Sequence, residues 1–430
     1  MKFRFFNLWD RVRISSHSVC KIPSVLRVFV NRLGEVIFVR SLCLWIVVFS
    51  WLGAAPLFAA SPILIGLDAD MSSGSSRSGI AIQRGILIAM DEINRSGGVL
   101  GRPLELVVRD HRGNPARGKD NIEELAAMKD LVAVVGGLHT PVVLAELPVI
   151  HKTRLLHLVP WAAGTPVVEN GYTPNFVFRV SVRDQYAGPY LAGRAIDGYG
   201  YKRPGLLLEQ TGWGRSNNRA MTDALNKKGI TAAGLQWFLW GAGKQDMKQL
   251  VTALKSNGAD VILFVGNAPE GIALIQAMAS LPGDEQLPIL SHWGITGGSF
   301  FKSAEKQLAS VDLRFLQTYS FLKPPFPAKA EAVFTAYKKR WPEIKTVREL
   351  FAPVGTAHAY DLIYLLKMAV EKAGDTDRDR VRSALEHLEG YEGLVKNYQP
   401  PFTAENHDAL DTSDFQMARY AEDGAIVPID

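Results

Sequence analysis

Residues 61–115, SPILIGLDADMSSGSSRSGIAIQRGILIAMDEINRSGGVLGRPLELVVRDHRGNP, carry the pattern that decides the fold. An apolar run (63–67) leads into a Gly/Ser loop (72–79), an amphipathic segment of helical length (80–96), a Gly turn and a second apolar run (104–109). Strand, small polar loop and helix in that order put backbone N–H groups and hydroxyls at a helix N-terminus, where anions bind well. The pattern predicts a ligand site and names no reaction.

Upstream lies a hydrophobic leader that distorts the bulk charge. Eight of the 48 Lys and Arg residues precede residue 60, against two of the 43 acidic ones, so the rest of the chain is near neutral despite a sequence pI of about 9.0. No clustered positive charge of the kind that binds nucleic acid remains, and no nucleic-acid partner is expected. Residues 42–60 read as the apolar core of a secretory signal, with Arg40 before it and LFAASP offering a cut after Ala59 or Ala60; residues 1–60 are thus expected to be a signal peptide with a long basic start, and the protein periplasmic. An uncleaved membrane anchor is the competing reading, because the run approaches spanning length. Cys20 and Cys43 both lie in this leader, so a cleaved product has no thiol chemistry and no disulfide.

Downstream, about 370 residues suffice for two domains. Strands are predicted over 63–67, 104–109, 132–135, 155–159, 205–208, 259–265 and 289–291, alternating with helices such as 80–96, 215–228, 247–257 and 270–281. That alternation argues for two α/β lobes, each a parallel sheet flanked by helices, parted near residues 172–184. Three late helices (328–341, 355–373, 377–388) and a late strand (415–420) must dock onto one lobe or the other.

Catalytic lookalikes fail on inspection. GAGK (241–244) lacks the first Gly and the Ser/Thr of a phosphate loop, and GGVLG (97–101) follows a helix and precedes a strand, the reverse of a dinucleotide turn. Neither H-E-x-x-H nor G-x-S-x-G occurs, and His139, His151, His157 and His292 lack metal-ligand spacing. No enzyme activity, metal or cofactor is expected.

In parallel α/β sheets ligands sit beyond the carboxyl ends of the strands. Those ends carry His139–Thr140, Trp161–Ala163, Trp213, Asn267 and Trp293, which should line one cleft between the lobes.

The pieces DEINRSGGVLGRPLELVVRDHRGNP, VVGGLHT, VPWAAGTP, FRVSVRDQYAGP, GADVILFVGNAPE and AYDLIYLLKMAVEKAG, in this order over nearly the whole chain after residue 62, resemble the type I periplasmic solute-binding proteins of the leucine/isoleucine/valine-binding kind. The resemblance implies a two-lobed fold with a three-segment hinge (near 179–184, 319–323 and beyond 393), an N-terminal lobe of 61–183 plus 322–393 and a C-terminal lobe of 184–321 plus 394–430. It also implies a monomer that captures an amino acid or related carboxylate-bearing solute by lobe closure, hands it to the membrane permease of an ABC importer and does no chemistry on it.

Carried over by position, Thr140 falls where the family holds the ligand carboxylate with a hydroxyl and an N–H. Trp161 and Ala163 fall where it adds backbone N–H groups, although Ala163 lacks the usual second hydroxyl. Asp184 falls on the partner of the ligand ammonium, and Trp213 and Asn267 replace two tyrosines. Trp293 stands where a second acid is expected, and Ser78, beside Arg77, occupies the first loop's contact. Each has a competing structural reading: Thr140 and Asp184 as helix caps, Trp213 and Trp293 as core, Arg77 as a solvated charge, His139 as space-filling. A sensing module that reports to a membrane receptor or kinase is the alternative function on the same fold.

Overall fold

The computed structural model describes residues 61–429. The expected leader lies outside them.

Two parallel sheets follow one another along the chain. Strands β1 (Ile63–Ala69), β2 (Leu104–Asp110), β3 (Leu131–Gly136), β4 (Leu156–Val159) and β5 (Val177–Arg179) form the first, in spatial order β2-β1-β3-β4-β5. Strands β6 (Pro204–Glu209), β7 (Gly234–Phe238), β8 (Val261–Val265), β9 (Ile289–Ser291) and β10 (Leu313–Gln317) form the parallel part of the second. A short antiparallel ribbon, β11 (Tyr391–Glu392) with β12 (Asn397–Tyr398), precedes β13 (Gln416–Tyr420) and β14 (Ile426–Pro428), which extend the second sheet antiparallel beyond β10.

Helices cover the sheets: α1 (Ser76–Arg95), α2 (Pro115–Ala126), α3 (Thr140–Thr153), α4 (Thr165–Val168), α5 (Asp184–Gly193), α6 (Gly212–Lys227), α7 (Lys244–Ser256), α8 (Ala268–Met278), α9 (Phe300–Leu308), α10 (Pro327–Arg340), α11 (Pro353–Ala373) and α12 (Arg378–Glu386). None of the described helices is long and apolar enough to cross a membrane.

In the opening segment local chemistry and packing agree. Ile82, Ile86, Ala89 and Ile93 recur at helical spacing on α1 and are buried; full burial of one such Ile is worth about 1.5–3 kcal/mol. The helix stops where Gly98 takes φ +78, and a Cβ there would lie 2.1 Å from the Arg102 carbonyl oxygen. The Asn94 amide then donates to Leu104 O and accepts from Leu104 N, fixing the entry to β2.

The three late helices all dock on the first sheet's side. Thr356 Oγ1 of α11 donates to Ala81 O, Tyr337 of α10 accepts from Arg84, and the Arg378 guanidinium of α12 reaches the carbonyls of Leu131, Ala126 and Thr153. The chain thus passes between the two layers three times: after β5, after β10, and between the β11–β12 ribbon and β13. Strands β5, β7, β10, β11, β12 and β14 go beyond the sequence expectation, and β5 lies inside the stretch expected only to part the lobes. At three residues, β5 is too short for a periodicity to register.

Candidate functional site

The first wall of the site is built at the carboxyl ends of β3 and β4. Gly137, at φ +86, turns the chain sharply; a Cβ there would sit 2.7 Å from Val143. His139 follows in extended conformation and α3 starts at Thr140, with Pro141 in its first turn. Helix N-termini leave N–H groups without intrahelical partners. Thr140 Oγ1 accepts from Gly164 N at 3.0 Å, which leaves its own proton free to donate, so Thr140 joins two loops and does not cap its helix.

The 161–164 loop is pinned from behind. Its carbonyls accept from Ser181 Oγ (Trp161 O, 2.8 Å), Arg179 Nη1 (Ala162 O, 3.2 Å; Gly164 O, 2.8 Å) and Asp184 N (Ala163 O, 2.9 Å). Arg179 is fully buried, and its Nε is paired with Asp408 from the third crossing. Holding every carbonyl of the loop this way preorganises the backbone facing the cleft.

The second wall comes from β6, β8 and β9. Thr211 caps α6 by accepting from Trp213 N, Asn267 occupies the cap of α8, and Trp293 opens a short 3₁₀ turn after His292. Glu209, at the end of β6, is the hub: it accepts from Thr211 Oγ1, from Trp240 Nε1 at 2.9 Å and from Asn267 Nδ2 at 3.1 Å. Burial pushes its carboxyl up to about 7, the Thr211 and Trp240 bonds oppose the rise, and Glu270 and Asp184 add repulsion.

Between the walls lies a narrow void with about 10 Å³ of accessible space, room for about one water, lined by Thr140, Trp161, Ala163, Trp213, Asn267 and Trp293 together with Leu138, His139 and Pro141. The layers touch across it: the Trp161 and Trp293 rings are 5.4 Å apart, and His139 lies 5.5 Å from Trp240. Trp213 and Trp293 are buried, as the core reading expects, and also line the void.

Two expected residues lie elsewhere. Asp184 is fully buried behind the Trp213 indole, accepting from its Nε1 at 3.1 Å, with His292 Nε2 3.3 Å from the same oxygen. His292 Nδ1 accepts from Trp293 N, so in the neutral ring Nε2 carries the proton and faces Asp184. Nor does Asp184 cap α5, whose cap position is Arg183. Ser78 is buried against Gly297, where a Cβ would come 2.5 Å from its Oγ. The loop read as an anion cradle is filled by the chain's own acids: Ser73 N, Ser73 Oγ and Ser75 N donate to Asp70, and Met71 N and Ser72 Oγ to Asp110. Burial alone would raise the Asp70 carboxyl, but His139 and these donors hold it well below the usual carboxylate range. Arg77 lies over the Phe351 ring.

Sequence reading missed Glu209, Trp240, His292, Arg179 and His358. His358 supports Trp293 from behind at 5.6 Å; its Nδ1 lies 2.8 Å from Pro160 O and its Nε2 accepts from Thr318 Oγ1, while burial lowers it to about 4. Glu209 and His292 had the strand-end signal that picked out their neighbours; Arg179, Trp240 and His358 had none. Among the described residues no group of three or more His, Cys, Asp or Glu could hold a metal.

A family model described as periplasmic binding protein matches residues 62–425. The chain belongs to the periplasmic binding protein family. This family consists of solute-binding proteins. This periplasmic binding protein is 27% identical over 345 residues to the Leu/Ile/Val-binding protein BraC3 of Rhizobium johnstonii, covering 78% of this chain and 86% of that one. It is 25% identical over 334 residues to the leucine-, isoleucine-, valine-, threonine-, and alanine-binding protein of Pseudomonas aeruginosa, with coverage of 76% and 83%. A type 1 periplasmic binding protein from Bordetella pertussis shares its fold at a TM-score of 0.77 and 22% identity, covering 86% of this chain and all of that one. A solute-binding protein from R. palustris in complex with 4-hydroxybenzoate does so at 0.72 and 17% identity, with coverage of 86% and 96%. At these identities the likeness shows the fold alone.

Proposed function

We propose that this chain is the periplasmic receptor of an ABC importer, capturing a small carboxylate-bearing solute by closing its lobes and delivering it to a membrane permease. The observation that carries the reading is the void between the strand ends of both sheets, with Thr140 and the start of α3 on one side and Trp213 and Trp293 on the other. The carboxylate docks first on Thr140 and the 161–164 backbone, because charge-assisted bonds to fixed donors need little reorganisation. Closure then brings Trp213, Asn267 and Trp293 over it, driven by tighter binding to the closed form. Asp184 orients Trp213 in this reading, and Ser78 seals the closed interface. The lobes comprise 61–183 with 322–393 and 184–321 with 394–430, the protein acts as a monomer, and the leader is removed after residue 59 or 60.

Thr140→Ala tests the site. A hydrogen bond to a charged group is worth about 1.5–3 kcal/mol, so the variant should bind its solute roughly ten- to a hundredfold more weakly by calorimetry, with a lowered unliganded melting point because Gly164 N loses its acceptor. Unaltered affinity would remove Thr140 from the site. Mass spectrometry of small molecules retained through native purification supplies the ligand for this measurement.

A further inference from the structure

None of the residues lining the void is acidic. The carboxylates around it do not line it: Asp184 lies behind Trp213, whose Nε1 donates to its Oδ1, Glu209 accepts from Thr211, Trp240 and Asn267, Glu270 from Gly241 N, and Asp70 from Ser73 and Ser75. An ammonium group closed into this space has no counter-ion, and burying an unpaired charge costs several kcal/mol.

Anions meet the opposite situation. A second, open pocket is lined in part by Leu144, one turn along α3 from Thr140, and by Gly212, next to Trp213. Arg215 and Arg219 line it from one face of α6, with Asp223 and Glu169 as the acids present; Glu169 is already paired with Arg183. Two guanidinium groups against one uncommitted carboxylate favour entry of a negative solute.

Size and surface narrow the choice further. As it stands the void has room for about one water, so the walls must part to admit a solute, and a small, flat one needs the least opening. Three indoles supply much of its wall, and flat rings pack on such faces in offset or edge-on geometry.

We propose that the solute is a small ring-bearing carboxylate without an amino group, and that the receptor discriminates against zwitterionic amino acids. The inference rests on the carboxylate-receptor reading above. The test uses two matched pairs on extensively dialysed protein: 3-phenylpropanoate against L-phenylalanine, and 4-methylpentanoate against L-leucine, with 3-phenylpropanamide as the uncharged control. In titration calorimetry the amino-free acid of each pair should bind at least about tenfold more tightly than its amino acid, and the phenyl acid more tightly than the aliphatic one. An amino acid that binds as tightly as its amino-free partner overturns the inference and leaves the carboxylate reading standing. So does an aliphatic acid that matches the phenyl acid. If the four acids give no heat and no thermal shift, or the amide binds as well as the acid, the carboxylate reading falls and the inference with it.

Discussion

Arg179 does not line the void, yet it holds the 161–164 loop in shape. Its buried guanidinium takes the carbonyls of Ala162 and Gly164 and pairs with Asp408. Arg179→Met leaves Asp408 with Arg183, at 3.4 Å, as its one ionic partner among the described residues. Breaking a buried pair typically costs about 3–5 kcal/mol, so the denaturation midpoint should fall accordingly and solute affinity should fall with it. Arg179→Lys should restore little of either, because one ammonium cannot hold a carboxylate and two carbonyls in a fork. Wild-type affinity in the Met variant would show that the loop holds itself.

Glu209 supplies a pH dependence. Its carboxyl titrates near 7 in the fold against 4.5 in the unfolded chain. The unfolded chain therefore releases this proton first, stability falls as pH rises from about 4.5 to about 7, and above that the loss is complete. Glu209→Gln keeps the bonds from Trp240 and Asn267 through its carbonyl and donates to Thr211 through its amide. Its stability relative to wild type should rise between pH 5 and 7.5 by on the order of 2 kcal/mol, read from urea midpoints at both pH values. A constant difference between the two proteins would contradict this assignment.

Among the elements, the contact of α1 with α11 fixes the late helices on the first sheet. The two approach so closely that a Cβ on Gly85 would lie 2.1 Å from the Thr356 carbonyl oxygen, a backbone atom that cannot swing aside. Gly85→Ala should therefore destabilise by about 1–3 kcal/mol in chemical denaturation. Gly283→Ala, where a Cβ meets nothing within 4 Å, should stay within about 0.5 kcal/mol of wild type. Equal effects would mean that helix spacing at Gly85 is not limiting. The α3 N-terminus belongs to this scale too: its position depends on β3, the Gly137 turn and Pro141, all local and all legible in VVGGLHTP.

For the whole molecule the question is closure. Trp161 and Trp293 come from opposite layers and meet at 5.4 Å, so the pair is a contact that opening must break. Trp293→Leu should weaken solute binding by at least about tenfold, since buried aromatic anchors dominate such sites. Small-angle scattering should show ligand-induced contraction in wild type and less of it in the variant at equal solute concentration. Full contraction in the variant would place the closing force elsewhere.

Much of this architecture was legible from local pattern. The α/β alternation, the two series of strands, the Gly turn after α1 and the polar or aromatic residues at strand ends depend on periodicities and turn residues within a few positions. Six of the eight residues singled out do line the void. Which donors and acceptors are spent on one another was not legible, because it depends on segments far apart in the chain. Asp184 meets an indole 29 residues away, and the Ser72–Ser75 loop spends its donors on Asp70 and, 38 residues on, on Asp110. Arg179 reaches across 229 residues to Asp408. A side chain's identity states what it can bind, whereas folding decides which partner reaches it first. In this protein that choice removed the acids from the cleft and left it to indoles, hydroxyl and backbone.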